Sequence, residues 1–351
     1  MKYFYFIFVL VVVILVGGGL FLIVNQQGTG QVLSSNISDT NNVRPSKNVF
    51  SYISDRDGNQ EVYLHNIDSK QVQRVTTTSV NEFDPVLGLN ATKLAFFSEE
   101  DGFFGIWIYS LESYEKKLLS ITKTTPQKIK FSPDGLLLAY IESDDENREL
   151  YILNTRNGSK ERAGSYVSDF SWGSNSLAIV YTQNLFTNIL KTEMQVRTIA
   201  ENGELEDPKT IFVGGVAPVF IDNNDRIHFI DVNGENISVA STSLRGEDYL
   251  EDFQIKIEPK DGILYQLLKH PSEKSLILTI SSNEQLIEVI YLHIDEKYAI
   301  PLNESMSSVI WNNNGEITYT TQDDNGSRQI WIKESFESLS TQLTKEFNNW
   351  F

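Results

Sequence analysis

Acidic and amide side chains recur along this sequence in short turns between apolar runs. In the first turn, Asp-Arg-Asp-Gly-Asn-Gln-Glu, oxygen-bearing side chains stand at alternate positions, a spacing that can ligate Ca²⁺. Carboxylates gathered on one surface also attract cations and basic partners. The acidic residues of these turns are Asp55, Asp57, Glu61, Glu99, Glu100, Asp101, Asp144, Asp145, Glu146, Asp323 and Asp324.

The first turn is a candidate calcium loop with an ordinary alternative. Its candidate ligands are Asp55, Asp57, Asn59 and Glu61. Gly58 stands at the wrong position for an EF-hand loop, and the twelfth position is Asn66 rather than Glu. Asp, Asn and Gly also form tight turns, because they supply the φ angles and local hydrogen bonds that turns need. Turn formation is favoured, and we predict no cofactor besides this candidate ion.

Residues typical of common catalytic sites are absent or scattered. The sequence has no cysteine and no G-x-S-x-G, G-x-x-x-x-G-K-[ST] or H-E-x-x-H motif. The four histidines, which fall on separate predicted strands and turns, are His65, His228, His270 and His293. We therefore predict no catalytic residues and interpret the histidines as structural rather than as a metal or catalytic cluster.

The overall charge argues against one class of partner. The formal net charge is −18, and no cluster of Lys and Arg interrupts it. Such a chain repels a phosphate backbone, so nucleic acid is not a predicted partner. A protein or peptide with basic groups is the partner that this charge favours.

A repeated unit of four short strands must position the acidic turns. Its most regular part is a pair of apolar runs joined by an acidic turn, as in LAYIESDDENRELYILN. A strand ending in a turn precedes each pair, and a short outer strand follows it. The pairs begin at Val49, Leu94, Leu138, Leu177, Ile227, Leu276 and Ile317. A period of about 40 to 50 residues is that of four-stranded propeller blades. We predict an all-β propeller of seven blades, with six as the alternative because the fifth and sixth copies are irregular.

The ends of the repeat indicate how the ring closes. The first copy lacks an innermost strand, and the chain ends TKEFNNWF, which resembles VNEFDP at the start of the second unit. We predict that residues 347–351 supply the innermost strand of the first blade, which removes exposed sheet edges. The turns between second and third strands then carry the acidic residues to one face, and the turn at residues 133–135 lies on the opposite face.

These motifs carry a resemblance to a known family. FSPDG…LAY…SDDENRELYILN and SDRDGNQEVYLHN resemble the WD40-like repeats of the TolB-type propeller family, which also form the propeller of prolyl-oligopeptidase-type peptidases. The resemblance covers nearly all of residues 49–351 and implies the fold, whereas function must come from the site. TolB is soluble and periplasmic and has an extra N-terminal α/β domain, and the peptidases have a separate catalytic domain. We expect neither domain here.

The N-terminal residues differ from the repeat. Residues 3–24 contain no charged side chain, and as a helix they would span roughly 30 Å, the thickness of a bilayer core. We predict an uncleaved transmembrane helix within residues 1–24, with the N-terminus cytoplasmic; a cleaved signal peptide is the alternative. Residues 25–48, rich in Asn, Gln and Ser, are a predicted flexible linker. Residues 49–351 are then an extracytoplasmic propeller.

Two functions fit these expectations. The first is a membrane-anchored scaffold or sensor that binds a protein or peptide through the acidic rim. The second is an envelope hydrolase or lyase that acts on a polysaccharide or peptide in the central channel of the propeller. The lack of a convergent His, Ser or Lys cluster in the sequence favours the first.

Overall fold

The chain divides into two compact units, Met1–Thr40 and Asn41–Phe351. The computed structural model describes residues 12–16, 19–23 and 42–351, except 89–90, 145–146, 185–190, 201–203, 222–225, 261, 283–284, 303–304, 324 and 345–348. In the first unit, Val12–Val16 and Gly19–Ile23 pair as an antiparallel hairpin. Within the described residues no helix is long and apolar enough to cross a bilayer. The helix predicted for residues 3–24 is therefore not shown, and it stays a prediction.

The second unit contains seven antiparallel sheets of four strands each, which confirms the seven-bladed propeller. Blades are numbered along the chain, and their strands are counted outward from the centre. The innermost strands of blades 1 to 7 are Asn349–Trp350, Asn81–Leu87, Thr125–Phe131, Val167–Trp172, Gly215–Phe220, Ile263–Lys269 and Ser308–Trp311. The second strands are Val49–Ser54, Lys93–Glu100, Leu137–Ser143, Ala178–Asn184, Ile227–Asp231, Ser275–Ser282 and Ile317–Gln322.

The outer half of each blade is formed in the same way. The third strands are Glu61–Asn66, Phe103–Ser110, Arg148–Asn154, Thr192–Thr198, Ile237–Thr242, Gln285–His293 and Arg328–Lys333. The outermost strands are Gln71–Arg74, Lys116–Thr122, Lys160–Gly164, Lys209–Val213, Leu250–Ile255, Tyr298–Pro301 and Thr341–Gln342.

The inner strands are apolar on both faces because each blade packs between two neighbours. All six residues of Val49–Ser54 and all six of Ile237–Thr242 are buried. The core consequently lies between blades. Phe97 of blade 2, for example, meets Tyr140 of blade 3 edge to face, with ring centroids 6.0 Å apart. The outermost strands are mostly exposed or half-buried.

The C-terminal strand closes the ring as predicted. Asn349–Trp350 pairs with the second strand of blade 1, in the register Ile53 to Trp350 and Ser54 to Asn349. The Arg56 guanidinium donates to the Asn349 side-chain oxygen at 2.9 Å. Blade 1 is thus formed by both ends of the propeller unit, and Asn349–Trp350 pairs with the inner edge of Val49–Ser54 at Ile53 and Ser54.

Antiparallel pairing sends the loops of each blade alternately to two faces. The acidic-turn face carries the turns between second and third strands, among them residues 55–60 and 101–102 and the turns that begin at Asp144 and Asp323. The opposite face carries the turns between innermost and second strands, including residues 132–136. The described chain enters the propeller on the opposite face, where buried Val43 donates its N–H to the Gln73 amide oxygen at 2.7 Å.

Candidate functional site

The topology brings the predicted acidic turns to one face, but their carboxylates have different surroundings. Glu99 and Glu100 end the second strand of blade 2, and Asp101 lies in the turn that follows. Asp144 and Asp323 begin the equivalent turns of blades 3 and 7. Asp145, Glu146 and Asp324 lie outside the described residues.

Two acidic residues of blade 1 form salt bridges with the same arginine. Arg74 bridges them, with Nη1 3.2 Å from Asp57 Oδ2 and Nη2 2.7 Å from Glu61 Oε1. Glu61 is fully buried, and the Tyr63 hydroxyl donates to Asp57. Burial, followed by the hydrogen bond to Asp57, raises the pKa of Tyr63 above its usual range. These carboxylates are therefore already paired and are poor candidates for contact with a partner.

The same geometry bears on the candidate calcium loop. Asn59 donates its side-chain amide to the Val80 carbonyl at 2.5 Å, and the Asp55 carbonyl accepts from the Gly58 N–H at 3.0 Å. Among the described residues, no group of three or more acidic or histidine side chains is placed to hold a metal ion. Calcium binding by the four loop residues stays a prediction.

Asp144 and Asp323 stabilise the turns in which they lie. Asp144 Oδ1 accepts the Asn147 N–H at 2.6 Å. Asp323 Oδ1 accepts the N–H groups of Asn325 and Ser327 at 2.9 and 2.8 Å. In both cases the carboxylate takes up backbone donors of its own turn, so the shape of the hairpin accounts for its presence.

Blade 2 is where the acidic residues remain open to solvent. Glu99, Glu100 and Asp101 are exposed, and none of them forms a salt bridge with the described residues. Asp101 and Gly102 have φ values of 51° and 75°, which is the geometry of a two-residue type I′ hairpin favoured by Asp-Gly.

Two exposed apolar side chains lie in the same blade as these carboxylates. Phe103 pairs with Glu100 across the hairpin and is 45% exposed, and Lys123 Nζ lies 5.1 Å from the centre of its ring. Ile121, opposite Gly105 on the outermost strand, is 59% exposed. We call Glu99, Glu100, Asp101, Phe103 and Ile121 the blade 2 corner. It combines negative charge with accessible apolar area, the two properties that a basic, amphipathic segment needs for binding.

The innermost strands carry a charged cluster that was not predicted from the sequence. Lys130 Nζ lies 3.4 Å and Lys128 Nζ 3.7 Å from the buried Asp169 Oδ1, so blades 3 and 4 are joined. The Lys128 N–H donates to Asp84 Oδ2 at 3.3 Å, which adds blade 2. Burial opposes ionisation of Asp169, but the two lysines and the Phe170 N–H outweigh it and hold the pKa of Asp169 below its usual value.

The cluster depends on irregular backbone. The register shifts between Phe83 and Val86 and between Gln127 and Lys130, with Asp84 and Lys128 at φ values of 49° and 55°. Such bulges re-aim side chains. The polar residues within the strands NEFDPVL and TPQKIKF could have indicated this cluster. Their partners, however, lie about 40 residues away in the chain.

The opposite face contains a cavity of about 540 Å³ among the turns of blades 2, 3, 6 and 7. Lys47, Ser132, Ser272 and Asn313 contribute polar groups to its wall. None of the four histidines is among its lining residues.

The histidines do not converge. His65 lies in blade 1, His228 in blade 5, and His270 and His293 in blade 6. Burial lowers the pKa of His65 to about 4, so this side chain is neutral at physiological pH. His270 accepts the N–H groups of Ser272 and Glu273 at Nδ1 and contacts the Gly315 carbonyl at 3.1 Å through Nε2. It connects the turns of blades 6 and 7.

Comparisons with known proteins identify the fold. No protein-family profile matches the sequence, and no curated protein is significantly similar to it. Among solved structures, an oligogalacturonate lyase in complex with manganese matches with a TM-score of 0.63 and 10% identity, over 83% of this chain and 88% of the lyase. TolB from Acinetobacter baumannii matches with a TM-score of 0.50 and 14% identity, over 76% of this chain and 66% of TolB.

A third match concerns closure of the ring. The β-propeller domain of the Trilobed protease from Pyrococcus furiosus matches with a TM-score of 0.59 and 13% identity, over 86% of this chain and 96% of that domain. That propeller is described as having an open velcro topology, whereas here Asn349–Trp350 closes blade 1. The chain is thus a seven-bladed propeller whose fold is similar to the structures of TolB and of this peptidase propeller domain. At these identities the likeness is one of fold alone.

Proposed function

We propose that this protein is a binding propeller that docks a basic segment of a partner protein or peptide on its acidic-turn face, at the blade 2 corner. The observation that carries the proposal is the exposure of Glu99, Glu100 and Asp101 in the same blade as Phe103 and Ile121. Most other described carboxylates of the predicted rim bind an arginine or shape their own turn. The surface available to a partner is therefore smaller than the rim that the sequence predicted.

We further propose that the propeller is held outside the cytoplasm by residues 3–24. The support is the uncharged apolar run itself, long enough to span a bilayer. The described propeller chain begins at residue 42 on the opposite face.

The test begins by finding the partner. A photo-crosslinking residue at Phe103, introduced in cells that make the protein, should capture it, and the same residue at Leu177, which is 52% exposed on the opposite face, should not. The captured partner is then titrated against E99Q/E100Q/D101N. Exposed charges act mainly on encounter. We therefore expect slower association by about tenfold, a smaller dependence on salt and an unchanged melting temperature.

The matched control is E112Q/E115Q, because Glu112 and Glu115 are exposed carboxylates in blade 2 on the opposite face. This variant should bind like the wild type. Equal association rates and equal salt dependence for all three proteins would show that the carboxylates of blade 2 only form a turn.

A second candidate function is catalysis in the central channel on a polysaccharide or peptide. Lys128, Lys130 and Asp169 favour it, because they form a compact polar cluster on the innermost strands. The lysines already contact Asp169 and backbone carbonyls, which accounts for the cluster structurally. Turnover of a polymer by the purified protein that is lost in Lys128→Ala would favour the enzyme.

A further inference from the structure

Two buried carboxyl groups face each other at the seam between blades 1 and 2. Glu61 begins the third strand of blade 1, and Glu82 is the second residue of the innermost strand of blade 2. Their exposed fractions are 0% and 1%, and their carboxyl groups lie within hydrogen-bonding reach of each other. The Glu82 N–H donates to the Gln60 carbonyl at 2.9 Å, which fixes the two strands side by side.

Each carboxyl has one satisfied oxygen and one unsatisfied oxygen. Oε1 of Glu61 accepts from Arg74 at 2.7 Å, and Oε1 of Glu82 accepts from the Thr78 hydroxyl at 2.6 Å. Oε2 of each residue is buried without a hydrogen-bond partner among the described residues. Two carboxylate oxygens cannot satisfy each other, since both only accept. A single proton held between them would satisfy both.

The seam between blades 7 and 1 shows the same backbone arrangement without a pair of carboxyl groups. There the Ile330 N–H donates to the Thr344 hydroxyl at 2.8 Å, as the Val62 N–H donates to the Thr76 hydroxyl at 2.9 Å. By strand register, the residues that occupy the positions of Glu61, Arg74 and Glu82 are Gln329, Gln342 and Asn349. Neutral amides therefore fit this position of the fold, so the strand pairing does not require a carboxyl pair.

The seam between blades 3 and 4 has the glutamate–arginine pair but no second carboxyl group. Glu149 and Arg162 repeat the pairing of Glu61 with Arg74, at 3.3 Å. The residue at the position of Glu82 is Val167. The glutamate–arginine pair is thus a recurring part of a blade, and Glu82 is an addition at the seam between blades 1 and 2.

We propose that Glu61 and Glu82 share one proton across this seam. The shared proton stabilises the contact between blades 1 and 2 below neutral pH, and this stabilisation decreases as pH rises. The proposal does not depend on the docking function, although the seam opens on the acidic-turn face. Burial, and after it the charge of Glu61, raise the pKa of Glu82 to about 7, against the lowering effect of the Thr78 and Thr76 hydroxyls.

Other titratable groups lie around the pair. On blade 1 they are Asp57, Arg56, Arg74 and the neutral Tyr63; on blade 2 it is Glu99, which follows Ser98, the strand partner of Glu82. Arg74 is shared with Asp57, so it neutralises only part of the charge that two ionised glutamates would bring. Loss of the proton leaves one excess buried negative charge at the seam.

The direction of the pH effect follows from proton binding. The unfolded chain releases the Glu82 proton near its ordinary pKa, whereas the folded chain keeps it until about pH 7. Between these values the folded state binds more protons, so stability falls as pH rises and then levels off. The stabilisation is complete only below the unfolded pKa.

The test compares melting temperatures of the full-length protein with those of E82Q between about pH 5 and pH 8. The wild type should lose roughly 5 °C more than E82Q over this range. E61Q should show the same flattened profile, because in each single variant the amide can donate to the remaining carboxylate. E61Q/E82Q, which has no carboxyl group at this position, should flatten the profile no further. E99Q is the matched control and should follow the wild type.

A second measurement localises the effect. Hydrogen exchange, corrected for its intrinsic pH dependence, should show falling protection of the Val62 and Glu82 amides at higher pH, and constant protection of Ile330. Parallel melting profiles for the wild type, E82Q and E61Q would overturn the proposal. So would a wild-type profile made flat by added CaCl₂, since an ion rather than a proton would then occupy the pair.

Discussion

Asp169 shows how a single carboxylate can join separate blades. Its side chain is buried between Lys128 and Lys130 of the preceding blade and accepts the Phe170 N–H at 2.9 Å. The neighbouring positive charges hold its pKa below the ordinary value in spite of burial. A group of this kind stabilises the folded state when ionised, and the stabilisation is lost as pH falls through its folded pKa.

At the residue scale we predict that D169N costs about 2 kcal/mol at neutral pH, because the amide leaves two lysines without their carboxylate. The difference from the wild type should shrink below about pH 4, where the unfolded wild-type chain begins to take up a proton at Asp169, and it should vanish only below the lowered pKa of the folded state. Denaturant unfolding at the two pH values measures this. D101N is the control, since exposed Asp101 should change stability by less than about 0.5 kcal/mol. A pH-independent difference would contradict the electrostatic explanation.

At the scale of the strands and turns, the hairpins use glycine for two different reasons. Gly102 in blade 2 and Gly158 in blade 3 both have a φ of 75°. A Cβ added at Gly102 would meet nothing within 4 Å, whereas one at Gly158 would lie 2.7 Å from the Leu119 carbonyl oxygen. The first glycine serves the turn alone. The second also allows blade 3 to approach the outermost strand of blade 2.

This contrast predicts unequal costs for one substitution. G102A should destabilise the protein by about 1 kcal/mol, the ordinary cost of a left-handed alanine. G158A should cost roughly 2 kcal/mol more, because its methyl group must displace backbone of the neighbouring blade. Thermal unfolding of the two variants checks this, each serving as the control for the other. Equal losses of stability in the two variants would show that the backbone at the seam between blades 2 and 3 can move to accept the methyl group at no energetic cost.

At the scale of the whole molecule, the propeller ring is closed by pairing between the two ends of the propeller unit. The ring is closed by Asn349–Trp350, so the ends of the propeller unit meet in blade 1.

The predicted membrane topology rests on residues 3–24 alone, which carry no charged side chain. We predict that protease added to spheroplasts digests the propeller while a cytoplasmic marker stays intact. Protection of the propeller until the membrane is lysed would contradict an extracytoplasmic location.

Sequence and tertiary structure determined different properties of this protein. The seven blades and the closing strand followed from the sequence, because strand patterns and turn residues are local signals that recur with a constant period. The predicted acidic rim depended on exposure, which is not local. Glu61 is buried against Arg74, and Glu99 is open to solvent.

The same limit explains the residues that the sequence analysis missed. Glu82 meets Glu61, and Asp169 meets Lys130, only because neighbouring blades pack their inner strands together. Side chains 21 and 39 residues apart in the chain give no sign of this proximity in their own segments. The repeat determined where each strand lies. Packing between blades decided which carboxylates are paired, which share a buried seam and which remain available to a partner, because burial and charge depend on neighbours from other blades.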